Sequence, residues 1–160
     1  MPIELQIADG VAELAVHGAF EEFSSGTVSG LEMLLQRVRE VAADPRLERD
    51  VCLRVCDADE ALTLNKAYRG GSAPTNILSF TAEGVDGDDL PLGDLALCWP
   101  VAVAEAEQQH KAIAHHVAHL CVHGLLHLLD YDHVDDAQAE TMEQIEVRIL
   151  SDFGVADPYK

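Results

Sequence analysis

Apolar residues recur along this chain with two different spacings, and the order of those spacings predicts an α/β fold. Every second residue is apolar in segments 3–7, 51–55 and 95–99, which is typical of β-strands, and segment 76–80 reads as a further strand. Between these segments the apolar residues are three or four positions apart, as in helices that pack on a sheet. We therefore expect one α/β domain over residues 1–160, with a mixed sheet of about four strands covered by about five helices.

Turn residues predict how the N-terminal part is arranged. Asp9-Gly10 favours a tight hairpin, so a returning strand is expected over 11–16 and a loop over 18–26. The acidic segment 83–91, which contains Gly and Pro, is expected to be a second surface loop.

Capping residues predict where several helices begin and end. A side chain that can cap a helix start precedes three of them: Ser29 with Glu32, Asp57 with Glu60, and Asp135 or Asp136 before the last. Gly70-Gly71 can supply the positive φ that ends the second of these helices.

The long apolar segment from Ile113 to about Leu129 is predicted to be a helix that carries histidines at every fourth position. These are His115, His119, His123 and His127. Side chains four residues apart lie on the same helix face, so each neighbouring pair could in principle bind one metal ion. The pattern of the helix alone leaves three possible pairs.

His133 favours the last pair. Only His123 and His127 directly precede a chain reversal that returns a third imidazole. Three imidazoles leave one position of a tetrahedral zinc ion open, which is typical of catalytic rather than structural zinc. We predict one Zn²⁺ held by His123, His127 and His133, on a C-terminal helix and the turn after it. The remaining histidines of the helix are expected to be surface or packing residues, with a supporting role open only for His119.

The residue after the first predicted ligand argues against a protease. Gly124 stands where a zinc protease with the H-E-x-x-H motif carries its general-base Glu. A small residue there instead allows a neighbouring element to approach the helix closely. Asp132 is a candidate to orient a ligand imidazole through its second nitrogen, although it could equally be an ordinary turn residue at the helix end.

Four segments resemble the YbeY family of ribosomal-RNA maturation endoribonucleases. Segment 123–133, HGLLHLLDYDH, is similar to the family's H-G-x-L-H-L-x-G-Y-D-H and differs only at Asp130, where the family usually has Gly. The resemblance implies a left-handed backbone at this position, which Asp can also adopt at a cost of about 1–2 kcal/mol. Segments 64–69 and 74–80, LNKAYR and PTNILSF, resemble L-N-x-x-Y-R and P-T-[DN]-V-L-S-F. Segment 92–95, LGDL, looks like the family's L-G-D-I. In the turn between segments 64–69 and 74–80, Ser72 replaces the acidic residue that is usual in the family.

The resemblance implies a zinc-dependent endoribonuclease specific for single strands, acting in 16S ribosomal-RNA maturation and ribosome quality control. The family's functional arginine maps onto Arg69. A guanidinium can bridge two phosphate oxygens and so offset the charge that builds up during cleavage. Lys66, one turn earlier, could add a phosphate contact. The implied partners are a ribosomal-RNA precursor and either the small ribosomal subunit or an assembly protein, with no role for DNA.

Composition and the N-terminal sequence favour a cytoplasmic protein without a membrane segment. No apolar run reaches the roughly 18–20 residues that a membrane span requires, and the first residues lack the pattern of a signal peptide. The four cysteines form no C-x-x-C pair, so buried reduced thiols are expected.

The charge of the chain bears on its partners. Ten Lys and Arg against 29 Asp and Glu give a net charge of −19, which should repel a polyanion at long range. RNA binding would then depend on a local basic patch, on the metal or on a partner that delivers the RNA. Two other functions stay open: a zinc hydrolase with a small or peptide substrate, and a non-catalytic ribosome-assembly factor with a structural metal.

Overall fold

Four strands form one mixed sheet in a computed structural model, which describes residues 3–81, 91–132 and 134–160. The strands are β1 (Ile3–Ile7), β2 (Val51–Cys56), β3 (Ile77–Thr81) and β4 (Gly93–Cys98). Their order in the sheet is β1-β2-β4-β3; β1, β2 and β4 run parallel, and β3 pairs antiparallel with β4 at one edge. The predicted α/β fold with a mixed four-stranded sheet is confirmed.

The described residues also form six α-helices and a short 3-10 turn at Pro45–Glu48. The helices are α1 (Glu13–Glu21), α2 (Gly30–Ala42), α3 (Ala58–Arg69), α4 (Trp99–Gln108), α5 (Ile113–Leu128) and α6 (Asp136–Ser151). Helix α5 contacts β3 and β4 of the sheet and also packs against α1, α2, α4 and α6. Ten of its 16 residues are buried, so the helix predicted to bind metal is also a central part of the core.

The predicted N-terminal hairpin is wrong. Gly10 does adopt a positive φ of 84°, as expected for a turn, but the chain then enters α1 and β1 pairs in parallel with β2. Val16, Ala19 and Phe20 are buried, and their spacing places them on one face of a helix that packs against α5. Part of the predicted loop over 18–26 is therefore helical, and α1 is the helix beyond the five that were expected.

Most predicted helix boundaries are confirmed by side-chain caps. Three caps accept backbone N–H groups: Ser29 from Glu32 at 3.3 Å, Asp57 from Glu60 at 2.9 Å, and Asp135 from Gln138 at 2.8 Å. Gly70 ends α3 with a φ of 68°. Except for Pro91, the predicted loop over 83–91 lies outside the described residues.

Gly124 allows close contact between α5 and the sheet. A Cβ at this position would lie 2.9 Å from Leu95 Cδ2 and 3.1 Å from Ile77 Cδ1, both closer than ordinary packing. The Ser79 hydroxyl donates a hydrogen bond to the Gly124 carbonyl oxygen at 3.2 Å, which joins β3 directly to α5. The close approach expected at this glycine is confirmed.

Two further expectations concern helices and thiols. No helix within the described ranges is long and apolar enough to cross a membrane. The four cysteines are free thiols; Cys56, Cys98 and Cys121 are buried, and Cys52 is half-buried. Burial raises the pKa of the Cys56 and Cys121 thiols to about 12, which is consistent with packing residues rather than nucleophiles.

Two glycine substitutions test the contact between α5 and the sheet. A Cβ at exposed Gly18 in α1 would meet nothing within 4 Å, so Gly18→Ala should raise the free energy of unfolding by about 0.5–1 kcal/mol through helix propensity alone. Gly124→Ala gains the same propensity but must displace Leu95 and Ile77, and we expect it to lower that free energy by about 1 kcal/mol. Urea denaturation measures both, and equal stabilisation by the two variants would contradict this account of Gly124.

Candidate metal centre

A cleft of about 660 Å³ lies between β3, α5 and the turn that follows α5. Its lining includes polar residues from four parts of the chain: Arg69 from the end of α3, Ser79 and Thr81 from β3, His119, His123 and His127 from α5, and Asp130, Asp132 and Tyr159 from the C-terminal part. The fold therefore brings most of the predicted site residues together.

Two of the three predicted metal ligands meet in this cleft. His123 Nε2 and His127 Nε2 are 2.9 Å apart, as expected for imidazoles one helical turn apart on the same face. Two nitrogens on one tetrahedral zinc ion would be separated by roughly 3.4 Å, so a small rotation of either ring accommodates an ion. The pair fits a metal ion. His133, the third predicted ligand, lies outside the described residues.

The turn that leads from α5 towards His133 is held by an arginine. Asp130 has a φ of 67°, so it adopts the left-handed conformation expected where the family's Gly would stand. Arg46, from the 3-10 turn, donates to Asp130 Oδ2 at 2.7 Å and to the Leu129 carbonyl oxygen at 3.2 Å. Asp44 pairs with the same guanidinium at 2.8 Å. The side chain at position 130 thus gains an ion pair that glycine could not form.

A buried carboxylate lies behind the histidines. Glu146 of α6 is completely buried, and its Oε1 is 2.6 Å from His123 Nδ1. Its Oε2 is 3.0 Å from His119 Nε2 and also accepts a hydrogen bond from the Tyr159 hydroxyl. Among the described residues, His119, His123 and Glu146 are the one group of three or more His, Cys, Asp or Glu side chains whose potential ligand atoms all lie within 4.8 Å of one another.

The hydrogen bonds around Glu146 keep it ionised. Burial by itself would raise the pKa of this carboxyl group, but the hydrogen bonds from His119, His123 and Tyr159 outweigh burial and lower the pKa to about 2. Burial and the adjacent carboxylate raise the pKa of the Tyr159 hydroxyl far above its usual range. At neutral pH Glu146 is therefore a carboxylate and Tyr159 a hydrogen-bond donor.

Arg69 lines the same cleft from the C-terminal end of α3. Its Nη2 donates a hydrogen bond to the Ser79 carbonyl oxygen, and its guanidinium carbon lies 5.9 Å from the centre of the Phe80 ring. Both contacts are to β3, the edge strand that Ser79 joins to α5. Arg69 is consequently fixed relative to the histidine helix although 54 positions separate it from His123.

Of the other residues predicted for the site, one lines the cleft and one does not. Asp132 lines the cleft, and its predicted role in orienting a ligand remains a prediction. Lys66 is exposed on α3 and is not among the residues that line the cleft. His115 is half-buried near Glu22, and His116 is buried against Glu105 at 3.0 Å, as expected for surface and packing residues.

Sequence reasoning did not identify Glu146 or Tyr159. One signal was present for Glu146: it lies four residues after Met142 and three before Ile149, which places a charged residue on the apolar face of α6. A charged residue on a buried face needs hydrogen-bonding partners, and the histidines at every fourth position of α5 were candidates for that role. For Tyr159 the sequence carried no comparable signal.

Taken together, the fold and the cleft define an α/β protein with a candidate metal centre and an arginine at one edge of its sheet. The chain belongs to the endoribonuclease YbeY family: the model of that family, described as "Endoribonuclease YbeY", matches residues 22–154.

Individual relatives agree with this assignment. Endoribonuclease YbeY of Stenotrophomonas maltophilia is 51% identical over 119 residues, which cover 70% of this chain and 73% of that protein. Endoribonuclease YbeY of Chromohalobacter salexigens is 49% identical over 121 residues, covering 74% and 79%. The solution structure of TM1509 from Thermotoga maritima aligns over 99% of both chains with a TM-score of 0.53 at 20% identity, which supports the fold.

Substitutions at Asp130 test the balance between backbone strain and the ion pair. Asp130→Ala keeps the left-handed backbone, which costs about 1–2 kcal/mol for an ordinary residue, and loses the bond to Arg46. Asp130→Gly also loses that bond, worth at most about 1 kcal/mol at an exposed site, but it adopts the conformation without strain. We expect the Ala variant to be less stable than the Gly variant by about 1 kcal/mol in urea denaturation of the metal-free protein. An Ala variant as stable as the Gly variant would show that no strain is present at this turn.

Proposed function

We propose that this protein is a zinc-dependent endoribonuclease that cleaves single-stranded ribosomal-RNA precursor during 16S maturation and ribosome quality control. Its membership of the endoribonuclease YbeY family supports the activity, since the matched relatives carry that name. The observation that carries the proposal is that the facing nitrogens of His123 and His127 lie in the same cleft as Arg69.

In this proposal His123, His127 and His133 hold one zinc ion through neutral imidazole nitrogens. Such an ion, when bound, supplies a Lewis acid for the phosphoryl group and can activate water near neutral pH. Gly124 occupies the position where a zinc protease would carry its base, so the H-x-x-x-H segment itself lacks the glutamate of the H-E-x-x-H motif. Asp132 is proposed to orient a ligand imidazole from the cleft wall.

Arg69 is proposed to bind the phosphate group that is cleaved. The hydrogen bond to Ser79 uses one of the five N–H donors of the guanidinium, so the others can serve phosphate oxygens. Charge builds up on the non-bridging oxygens as the phosphodiester reacts, and a donor fixed near that position stabilises the transition state more than the ground state. Lys66 is proposed to add a weaker contact to a neighbouring phosphate from the exposed face of α3.

The net charge of −19 affects how RNA can reach this protein. Free RNA should be repelled at long range, while the proposed attraction acts at short range, through the metal and Arg69 in the cleft and through Lys66 near it. We therefore propose that the small ribosomal subunit or an assembly protein presents the RNA, and that the protein acts in the cytoplasm, where such precursors are matured.

Replacing Arg69 tests the proposed phosphate contact. Arg69→Ala should lower cleavage of an unstructured RNA by about 10²–10³-fold, the loss seen when one donor to a developing charge is removed, while zinc content stays at that of the wild type. Arg148→Ala on α6, which removes one exposed arginine outside the cleft, should cleave normally. Full cleavage by Arg69→Ala would contradict the assigned role.

Removing the metal separates a catalytic ion from a structural one. Chelation of a catalytic ion should abolish cleavage. Urea unfolding should stay cooperative, because α5 packs through its apolar face against β3, β4 and four helices whether or not the ion is bound. His127→Ala should behave like the chelated wild type in both measurements. Loss of cooperative unfolding on chelation would favour the assembly factor with a structural metal, and so would a zinc-loaded wild type that cuts no RNA.

A further inference from the structure

Among the described residues, Glu146 is the most deeply buried charged side chain that the proposed reaction does not use. It lies on α6, facing the histidines of α5, and none of its surface is exposed. A buried carboxylate is costly unless several donors satisfy it. Three donors meet Glu146, from His119, His123 and Tyr159, and the first two come from positions four apart on the same face of α5.

These hydrogen bonds determine which nitrogen of His123 carries the proton. Glu146 Oε2 faces His119 Nε2 and the Tyr159 hydroxyl, and Oε1 lies 2.6 Å from His123 Nδ1, so a carboxylate that accepts from all three groups makes Nδ1 the donor. In a neutral imidazole the other nitrogen then keeps its lone pair. That nitrogen is Nε2, the atom that lies 2.9 Å from His127 Nε2 in the cleft. The carboxylate thus prepares as a ligand the very nitrogen that faces the proposed metal position.

We infer that Glu146 is a positioning residue for the metal site: it fixes the ring orientation and the tautomer of His123 from behind, so that Nε2 is ready to bind the ion. The inference rests on the proposed function, because it assumes that His123 and His127 hold the metal. A carboxylate in this position also makes the ligand imidazole more basic, which strengthens its bond to a metal.

The geometry argues against Glu146 as a ligand itself. His119, His123 and Glu146 are close enough to be considered as a metal site. However, the 2.6 Å between His123 Nδ1 and Glu146 Oε1 is that of a direct charge-assisted hydrogen bond. Inserting an ion there would require breaking the hydrogen bonds that satisfy the buried charge.

The C-terminal segment completes this support. Tyr159 donates to Glu146, and its ring lies edge-on to His119 with ring centres 5.5 Å apart. The segment is held in place by a bond from the Tyr159 backbone N–H to Asp157 at 2.8 Å and by Lys111, whose Nζ donates to the Pro158 carbonyl oxygen at 3.4 Å. The last residues of the chain therefore contribute to the site although they bind no metal in this scheme.

The test measures zinc affinity by competition with a chelator, together with urea unfolding of the metal-free protein. Glu146→Gln retains the shape of the side chain and should weaken zinc binding by about 10–100-fold while unfolding stays cooperative. Glu140→Gln, the same change at an exposed position of α6, should leave the affinity within about twofold. Tyr159→Phe, which removes one of three donors, should weaken binding less than Glu146→Gln does.

A spectroscopic measurement on the wild type is independent of any folding defect in a variant. Correlation of ring ¹⁵N and ¹H signals in the metal-free protein should show the His123 proton on Nδ1. A proton on Nε2 would overturn the inference. If Glu146→Gln fails to fold, this result and the affinity of Tyr159→Phe decide the question.

The outcomes separate this inference from the proposed function. A wild type that binds zinc, with an unchanged affinity in Glu146→Gln, overturns the role of Glu146 and leaves the proposed function intact. A loss of zinc in His119→Gln as large as in His127→Gln, or a second ion in the wild type, would make His119 and Glu146 ligands and also overturn it. A wild type that binds no zinc overturns both proposals.

Discussion

The close packing of α5 on the edge of the sheet is the constraint on which the site depends. A Cβ at Gly124 would lie 2.9 Å from Leu95 Cδ2 and 3.1 Å from Ile77 Cδ1, so a side chain there would force these residues or α5 to shift. The Ser79 hydroxyl also bonds to the Gly124 carbonyl oxygen. Because one face of α5 is held in the core, the histidine face cannot turn, and it forms one wall of the cleft. The packing of α5 in the core therefore also determines where His119, His123 and His127 lie in the cleft.

In an acidic protein that acts on RNA, the positions of the few positive side chains and hydrogen-bond donors near the site determine the local field. Two arginines near the cleft have defined contacts: Arg69 is fixed on β3, and Arg46 holds the turn after α5 through Asp130 and Leu129. Behind the cleft the negative charge of Glu146 is fully enclosed by hydrogen-bond donors. The total charge therefore says little about the field inside the site, where a few fixed groups dominate at short range.

The single departure from the family's histidine motif shows how such a site can change without losing its geometry. Asp130 keeps the left-handed backbone that glycine adopts easily, and its side chain reaches Arg46, which glycine cannot do. The chain therefore still reverses direction after α5. Asp130 carries backbone strain that glycine would not have, and its ion pair with Arg46 of the 3-10 turn offsets part of that strain.

Features that depend on residues a few positions apart were determined by the sequence alone. The caps at Ser29 and Asp57, the strands and the left-handed Asp130 follow from local spacing or local sterics. The equal spacing of the histidines in α5, by contrast, left three possible pairs open. The predicted Asp9-Gly10 hairpin is wrong because a turn signal is also local and carries no information about distant partners. Strand β1 instead pairs in parallel with β2, 48 positions away. Only the tertiary structure could bring Glu146 to His123 and Tyr159 to Glu146, since such contacts depend on how α6 and the C-terminal segment pack against α5. The sequence thus determined which residues could form the site, and packing decided which partners hold them in place.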